Sequence, residues 1–245
     1  MDPVRLLHTS DVHLGGGFPT PGGGEHLDDC LCPLLAIEAA AADHQPDVVI
    51  VAGDLFDHQR VDDRLVDRVL DRLAALDPTC VLLNGNHDLH DGRSLYEAAE
   101  RPGLVFLSGR DGSAVALADT AVAVWGRAMD DHHRGFRPLS GVPERPDDDR
   151  WWVVVGHGHH EPDLEHGYRS SPIAPDDIAA TAADYVALGH WHVRTDVSAG
   201  GVTAWYSGAP HGHGATGSFN RVDLGPDGAT VTPVDVSLPS GGCRR

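Results

Sequence analysis

Short apolar runs alternate with longer stretches of helical period through the first hundred residues, the pattern of βαβ units. Residues 4–9 read as a first strand. Leu27, Leu31, Leu34, Leu35 and Glu38 suit an amphipathic helix led by Asp28 and Asp29, whose charges favour a helix N-terminus. Pro46 ends that connection before a buried strand at 48–52. Leu65, Val66, Val69, Leu70 and Leu73 then recur at three- and four-residue spacing, which predicts a second helix with Asp62, Arg64, Asp67, Arg68 and Arg72 toward solvent. A strand at 80–83 follows.

The middle of the chain is more strand-like, with candidates at 104–107, 114–117 and 121–125 between Gly- and Asp-containing turns. Residues 127–150 hold Arg127, Arg134, Arg137, Arg145 and Arg150 among Pro and Asp without an apolar period, which predicts an exposed loop excursion. Strands resume at 151–155 and 185–188, with a short helix within 175–183 between them. A strand at 203–206 and a hairpin around Gly225-Pro226-Asp227-Gly228 close the chain. Trp151 and Trp152 face opposite ways, so one belongs to the core and the other packs under the loop or against a substrate. With no internal repeat, one α/β domain over residues 1–245 is expected.

Five of these runs end in polar clusters. They are Asp11-Val12-His13, Gly53-Asp54-Leu55-Phe56-Asp57, Gly85-Asn86-His87-Asp88, Gly156-His157-Gly158-His159 and Gly189-His190-Trp191-His192. In an open α/β sheet the C-terminal strand ends share one edge, where ligands bind, and side chains two apart on extended backbone face the same way. Carboxylates, imidazoles and one amide without thiolate suit Mn²⁺, Fe or Zn²⁺ in an open site. Seven candidate ligands exceed what one cation needs, and two cations about 3.5–4 Å apart are suited to in-line displacement at phosphorus. A strand ending at Val155 selects His157 as the ligand, with His159 as the alternative.

Composition narrows the reading. At 41% hydrophobic and 22% charged, the chain is neither fibrous nor disordered. A net charge of −19 works against broad binding to nucleic acid or anionic lipid, while 17 histidines favour metal. Cys30, Cys32, Cys80 and Cys243 form no CxxC pair, so neither a zinc ribbon nor a disulfide framework is expected. Gly15-Gly16-Gly17 and Gly22-Gly23-Gly24 lack the lysine of a phosphate-binding loop. No signal peptide and no membrane span are visible, and a cytoplasmic, soluble protein is expected.

The five clusters, in order, resemble the calcineurin-like metallophosphoesterase superfamily. Leu7-His8-Thr9-Ser10-Asp11-Val12-His13-Leu14-Gly15, Gly53-Asp54-Leu55-Phe56-Asp57 and Tyr185-Val186-Ala187-Leu188-Gly189-His190-Trp191-His192 resemble the nuclease domain of its SbcD/Mre11 branch, over Val4 to about Pro210. The resemblance implies a four-layer α/β/β/α sandwich and two divalent metal ions, manganese first, with Fe or Zn²⁺ as alternatives. Asp11, His13 and His192 would hold one, Asn86, His157 and His190 the other, and Asp54 would bridge them. His87 would stabilise charge on the phosphoryl group or protonate the leaving oxygen, with Asp88 orienting it. Asp57 stands where some relatives place a second catalytic histidine, and His58 comes one position later.

The implied activity is that of a phosphodiesterase resembling the branch's DNA exonuclease domain, in which a metal-bridging hydroxide attacks phosphorus. The branch continues into a DNA-capping domain and a segment that binds a coiled-coil ATPase. Only about 35 residues follow Pro210, so no capping domain is expected and the ATPase partner is not favoured. A phosphate ester such as single-stranded DNA or a nucleotide is the expected substrate. The alternatives are a small-molecule phosphatase, a cyclic-nucleotide phosphodiesterase, or a non-catalytic metal-binding subunit. Arg60, Arg134 and Arg137 are candidates for a local positive rim. His8 reads as a core histidine and His132-His133 as surface, while His211 and His213 either line the pocket rim or are solvated.

Overall fold

The computed structural model describes residues 1–16, 31–90, 101–211 and 216–236. Leu27, Asp28, Asp29, Cys30, Cys243, His213, Gly17 and the run Gly22-Gly23-Gly24 lie outside the described residues. The elements in chain order are β1 (Val4–Thr9), α1 (Cys32–His44), β2 (Val48–Ala52), α2 (Asp63–Ala74), β3 (Thr79–Leu83), β4 (Leu104–Phe106), β5 (Ser113–Ala116) and β6 (Val122–Gly126). They continue as β7 (Trp151–His157), β8 (His159–His160), β9 (Pro172–Ile173), α3 (Pro175–Ala180), β10 (Tyr185–Gly189), β11 (Thr195–Asp196), β12 (Ala204–Tyr206), β13 (Gly217–Gly225) and β14 (Gly228–Val236).

The central strands are apolar on both faces, so each must be covered twice. In β2, Val48, Ile50 and Ala52 face a second sheet, while Val49 and Val51 face helices. One sheet has the order β14-β13-β1-β2-β3-β4 and the other β11-β12-β10-β7-β6-β5. Between them lies a core that includes Leu6, Ile50 and Val81 from the first sheet and Val124, Trp151, Val153 and Tyr185 from the second. Helices α1 and α2 cover the outer face of the first sheet, and Ile178 of α3 packs with Trp152, Val154 and Leu188 on the outer face of the second. The result is the expected α/β/β/α sandwich. Both tryptophans are core, one on each face of β7.

The strands that matter for the site run parallel: β1, β2, β3 and β4 in one sheet, and β6, β7, β10 and β12 in the other. Their C-terminal ends therefore lie along one edge of each sheet. Helix α2 buries the predicted face, and the Asp62 side chain accepts from Arg64 N–H at 2.9 Å, a cap worth about 1 kcal/mol. Helix α1 departs from expectation. It begins at Cys32 with Pro33 in its first turn and buries Leu34, Ile37, Ala40 and Ala41, leaving Leu35 42% exposed. Small alanines carry much of that face, and leucine spacing alone misplaces it. Cys32 is disulfide-bonded, a pairing the cysteine spacing gave no reason to expect, and Cys80 is a buried free thiol.

Residues 127–150 form no helix or strand, as expected, but they do not stand away from the body. Ala128, Met129, Phe136 and Leu139 are buried, and the Asn84 amide grips both backbone groups of Met129, donating to its carbonyl at 2.6 Å and accepting from its N–H at 3.1 Å. All five arginines of the segment donate to carbonyls or carboxylates, among them Arg134 to the Leu164 carbonyl and Arg137 to Asp177. They pin the segment down rather than form the free positive rim expected of it. Isolated apolar anchors, which have no period to betray them, explain the difference. No helix among the described residues is long and apolar enough to cross a membrane.

His8 lies wholly inside the inter-sheet core, with Nδ1 2.8 Å from the Tyr185 hydroxyl. Burial pushes its pKa down to about 3. The unfolded chain takes up a proton below about pH 6.5 that the folded state refuses, so His8 makes stability fall by about 1.4 kcal/mol per pH unit from there down toward pH 3. His8→Gln, which does not titrate, is expected to remove that slope. Urea unfolding at pH 7, 6, 5 and 4 checks it, and an unchanged acid dependence contradicts it.

Candidate metal centre

The loops that follow β1 and β2 are laced together by main-chain bonds. Asp11 N–H donates to the Gly53 carbonyl at 3.0 Å, Val12 N–H to Asp54 at 2.8 Å and Leu14 N–H to Leu55 at 2.9 Å. Among the described residues, seven non-glycine residues have positive φ, and four of them are Asp11 (54°), His13 (51°), Asp54 (52°) and His190 (97°). Such conformations cost on the order of 1 kcal/mol or more each and persist only where the surroundings impose them. The glycines preceding these polar residues have a steric reason. A Cβ on Gly85 would come within 2.2 Å of Asp54 Oδ1, and one on Gly53 (φ 93°) within 2.1 Å of the His157 ring.

On this frame the expected ligands form two groups that meet at Asp54. In one, His192 Nε2 lies 3.4 Å from Asp11 Oδ1 and 3.3 Å from His13 Nε2, and His13 Nε2 lies 4.0 Å from Asp54 Oδ2. In the other, Asn86 Oδ1 lies 3.1 Å from His157 Nε2 and 2.8 Å from His190 Nδ1, and His157 Nε2 lies 3.3 Å from Asp54 Oδ2. Donors sharing one cation at bonds of about 2.0–2.2 Å sit roughly 3.0–3.4 Å from one another, so both groups suit a cation of the N/O-binding kind. His157 therefore stands inside the cluster. His159, in β8, stands outside it, with its ring centroid 6.1 Å from that of His190 and 5.2 Å from that of Trp191.

Tautomers are set from outside the cluster. His157 Nδ1 lies 2.8 Å from the Ala52 carbonyl and His13 Nδ1 2.9 Å from Asp57 Oδ1. Both partners only accept, so each Nδ1 carries the proton and each Nε2 faces inward. Asp57 thus positions His13. Asp57→Ala is expected to weaken cation binding about 10–100-fold while the fold persists, measured by chelator competition; wild-type affinity contradicts it.

Burial alone would raise the carboxyl of Asp11, but the bond to His192 and the charge of His157 hold it below its usual range. Burial works against charge on Asp54 too, and His157 outweighs it. Burial would lower His157, yet Asp54 and Asp11 hold its proton up to about 9. His190 goes the other way, down to about 3, through burial and the neighbouring His157 charge. The centre thus holds two buried carboxylates, Asp11 and Asp54, kept ionised by the imidazoles around them.

His87 sits at the mouth, its side chain 41% exposed and its ring centroid 4.6 Å from His13. Its Nδ1 donates to the Asp57 carbonyl at 2.7 Å, leaving Nε2 for the pocket, and its N–H donates to Asp54 Oδ1 at 2.9 Å. Asp88 was expected to orient His87. Its oxygens accept from Gly85 N–H at 2.6 Å and Phe56 N–H at 3.1 Å, fixing the loop that carries His87, while Asp57 sets the ring. Adjacent residues of a tight turn point apart, which the linear order conceals.

Several neighbours of the centre carry no signal in the sequence. Ser10 Oγ donates to Asp11 Oδ2 at 2.5 Å and lies 3.0 Å from Ser207 Oγ. His132, expected at the surface, lies 5.6 Å from His190 between ring centroids, while its neighbour His133 is exposed. A cleft of about 670 Å³ lined by Gly15, His58, Arg60, Arg64 and Arg68 opens next to the Asp57 loop.

Residues 4–194 match the family model described as calcineurin-like phosphoesterase. Over 93% of its length the chain is 27% identical to the DNA double-strand break repair protein Mre11 of Haloferax volcanii, of which it spans 51%. It is 26% identical over 97% of its length to the SbcD polypeptide of the nuclease SbcCD of Bacillus subtilis, spanning 70% of that protein. The chain covers about half the length of the Haloferax relative and 37% of the Mre11 of Methanosarcina mazei. The fold is that of TT1561 of Thermus thermophilus (TM-score 0.62, 15% identity, 96% of this chain and 100% of that one). It is also that of a dimetal phosphatase from Danio rerio (TM-score 0.55, 14% identity, 97% and 100%). With the family model matched from the first strand to just past the last histidine cluster, the chain belongs to the calcineurin-like phosphoesterase family, a family of metal-dependent phosphoester hydrolases.

Proposed function

We propose that the chain is a phosphodiesterase that works through two divalent cations, manganese in the first instance and iron or zinc otherwise, on single-stranded DNA or a nucleotide. The observation that carries this is the place of Asp54 Oδ2, 3.3 Å from His157 Nε2 on one side and 4.0 Å from His13 Nε2 on the other. A buried carboxylate with an imidazole group on each side suits a bridge. Asp11, His13 and His192 would hold one cation and Asn86, His157 and His190 the other. Bound cations would supply Lewis-acid stabilisation of the phosphoryl oxygens and an acidified water.

The chain's own residues supply the rest. Asp57 and the Ala52 carbonyl hold the His13 and His157 rings with Nε2 inward, so little reorganisation is needed on binding. With Nδ1–H bonded to the Asp57 carbonyl, His87 turns Nε2 toward the substrate, and as the imidazolium it would give its Nε2 proton to the leaving oxygen and be left neutral. Arg60, Arg64 and Arg68, beside the Asp57 loop, offer positive charge to further phosphates in a chain that is otherwise strongly acidic. The relatives named as a nuclease component and a DNA repair protein support a nucleic-acid substrate.

The net charge of −19 favours a second reading, a small-molecule phosphatase or cyclic-nucleotide phosphodiesterase on the same residues. Elemental analysis with a panel of a phosphomonoester, a phosphodiester and single-stranded DNA, each assayed across a salt series, separates them. Two cations per chain and DNA cleavage falling with a log–log slope of about −0.7 per phosphate contact support the first reading. Salt-insensitive turnover restricted to small diesters supports the second, and turnover restricted to the monoester overturns the diesterase reading.

A further inference from the structure

We propose that His211 is an additional ligand on the cation position formed by Asp11, His13 and His192, which makes that position nitrogen-rich and sets its metal preference apart from its neighbour's. The inference rests on the two-cation reading above and adds a residue to it.

The topology delivers His211. Strand β12 runs parallel to β10, so its C-terminal end reaches the edge where the other five polar clusters lie. Ser207, Gly208, Ala209 and Pro210 carry the chain from Tyr206 to His211, and this path is held firmly. Ser218 Oγ donates to the Ser207 carbonyl at 2.7 Å, Ser218 N–H donates to the Ala209 carbonyl at 3.1 Å, and Ser207 Oγ lies 3.0 Å from Ser10 Oγ. Gly208 turns the chain at φ 74°, where a Cβ would come within 2.2 Å of Ser218 Oγ. The backbone that presents His211 is thereby tied to the residue that precedes Asp11.

At the end of that path the ring reaches two of the expected ligands. Its centroid lies 5.7 Å from that of His13 and 5.6 Å from that of His192, and ring nitrogens of the three residues all lie within 4.8 Å of one another. The trio Asp11, His13 and Asp54 meets the same distance limit. Two imidazole nitrogens on one cation can be no more than about 4.2 Å apart at Zn–N bonds of about 2.1 Å, so a small rotation of the His211 side chain brings it into range. His13, His192 and His211 would then join Asp11 and Asp54 on this side. The other side would have two imidazoles, the Asn86 oxygen and Asp54. Imidazole-rich positions favour Zn²⁺, Fe²⁺ and Co²⁺, while oxygen-richer ones accept Mn²⁺ more readily.

Co²⁺ titration of the metal-free chain tests this, read by visible absorption and by chelator competition. The samples are wild type, His211→Ala and, as a control, His166→Ala, a surface histidine paired with Asp163. Wild type is expected to take up two Co²⁺. His211→Ala should keep one at wild-type strength, bind the other at least about tenfold more weakly, and shift the visible bands of that ion. The control should match wild type. If His211→Ala fails to fold by circular dichroism, His211→Asn supplies the same readout. Two Co²⁺ bound by the His211 variant with wild-type affinity and spectrum overturn the assignment of His211 alone. Wild type that cannot take up two Co²⁺ overturns both this inference and the reading beneath it.

Discussion

Asp54→Asn is expected to abolish uptake of the cation pair and to lower phosphodiester turnover at least about 10³-fold. The variant keeps side-chain shape and an oxygen able to accept from the His87 N–H, which donates to Asp54 Oδ1 at 2.9 Å, so the loop after β3 should stay in place. What it removes is the negative charge between the two ligand groups, 1% exposed and facing His157. An amide oxygen is a much weaker bridge between two dications than a carboxylate. Loss of Lewis-acid stabilisation amounts to several kcal/mol, and each 1.36 kcal/mol is tenfold in rate. Elemental analysis, turnover of bis(p-nitrophenyl) phosphate and circular dichroism together decide it. A folded variant that retains two cations and wild-type turnover would remove Asp54 from the mechanism.

His87→Ala should leave cation stoichiometry intact and lower kcat about 10²–10⁴-fold, the usual contribution of a positioned general acid. The ring touches the site from its exposed mouth and is held by a main-chain carbonyl, so its removal leaves no buried group unpaired. Its effect should depend on the leaving group. A p-nitrophenolate departs without a proton, whereas a sugar alkoxide needs one, so the loss should be small on the activated diester and large on DNA or a dinucleotide. Equal losses on both would show that His87 stabilises phosphoryl charge instead, and no loss on either would exclude both roles.

The centre is largely legible in the sequence because it follows from a topological rule. Strands that read as parallel place their C-terminal ends together, and the polar residues from Asp11 to His192 all stand within a few positions of such ends. What stays hidden is what non-local contacts decide. The burial of Ala128, Met129, Phe136 and Leu139 depends on elements far away in sequence, and no local period announces it. Asp88 stands beside His87 in the chain yet bonds Gly85 and Phe56. His211 carries a fainter signal. It follows an apolar run and a glycine like the other clusters, but it stands five residues past its strand end, further than His13 at four and Asn86 and His192 at three.

The two ligand groups do not divide one per sheet. Asp11 and His13 follow β1 while His192 follows β10; Asn86 follows β3 while His157 ends β7. Each proposed cation position would therefore straddle the seam between the sheets, which among the described residues is closed elsewhere mainly by nonpolar packing. Occupied, the pair would act as a clasp at one end of the sandwich. Chelation should let that end breathe, with faster amide hydrogen exchange at the tips of β1, β7 and β10 than at their opposite ends, so that cation supply governs the mechanical coherence of the molecule as well as its chemistry.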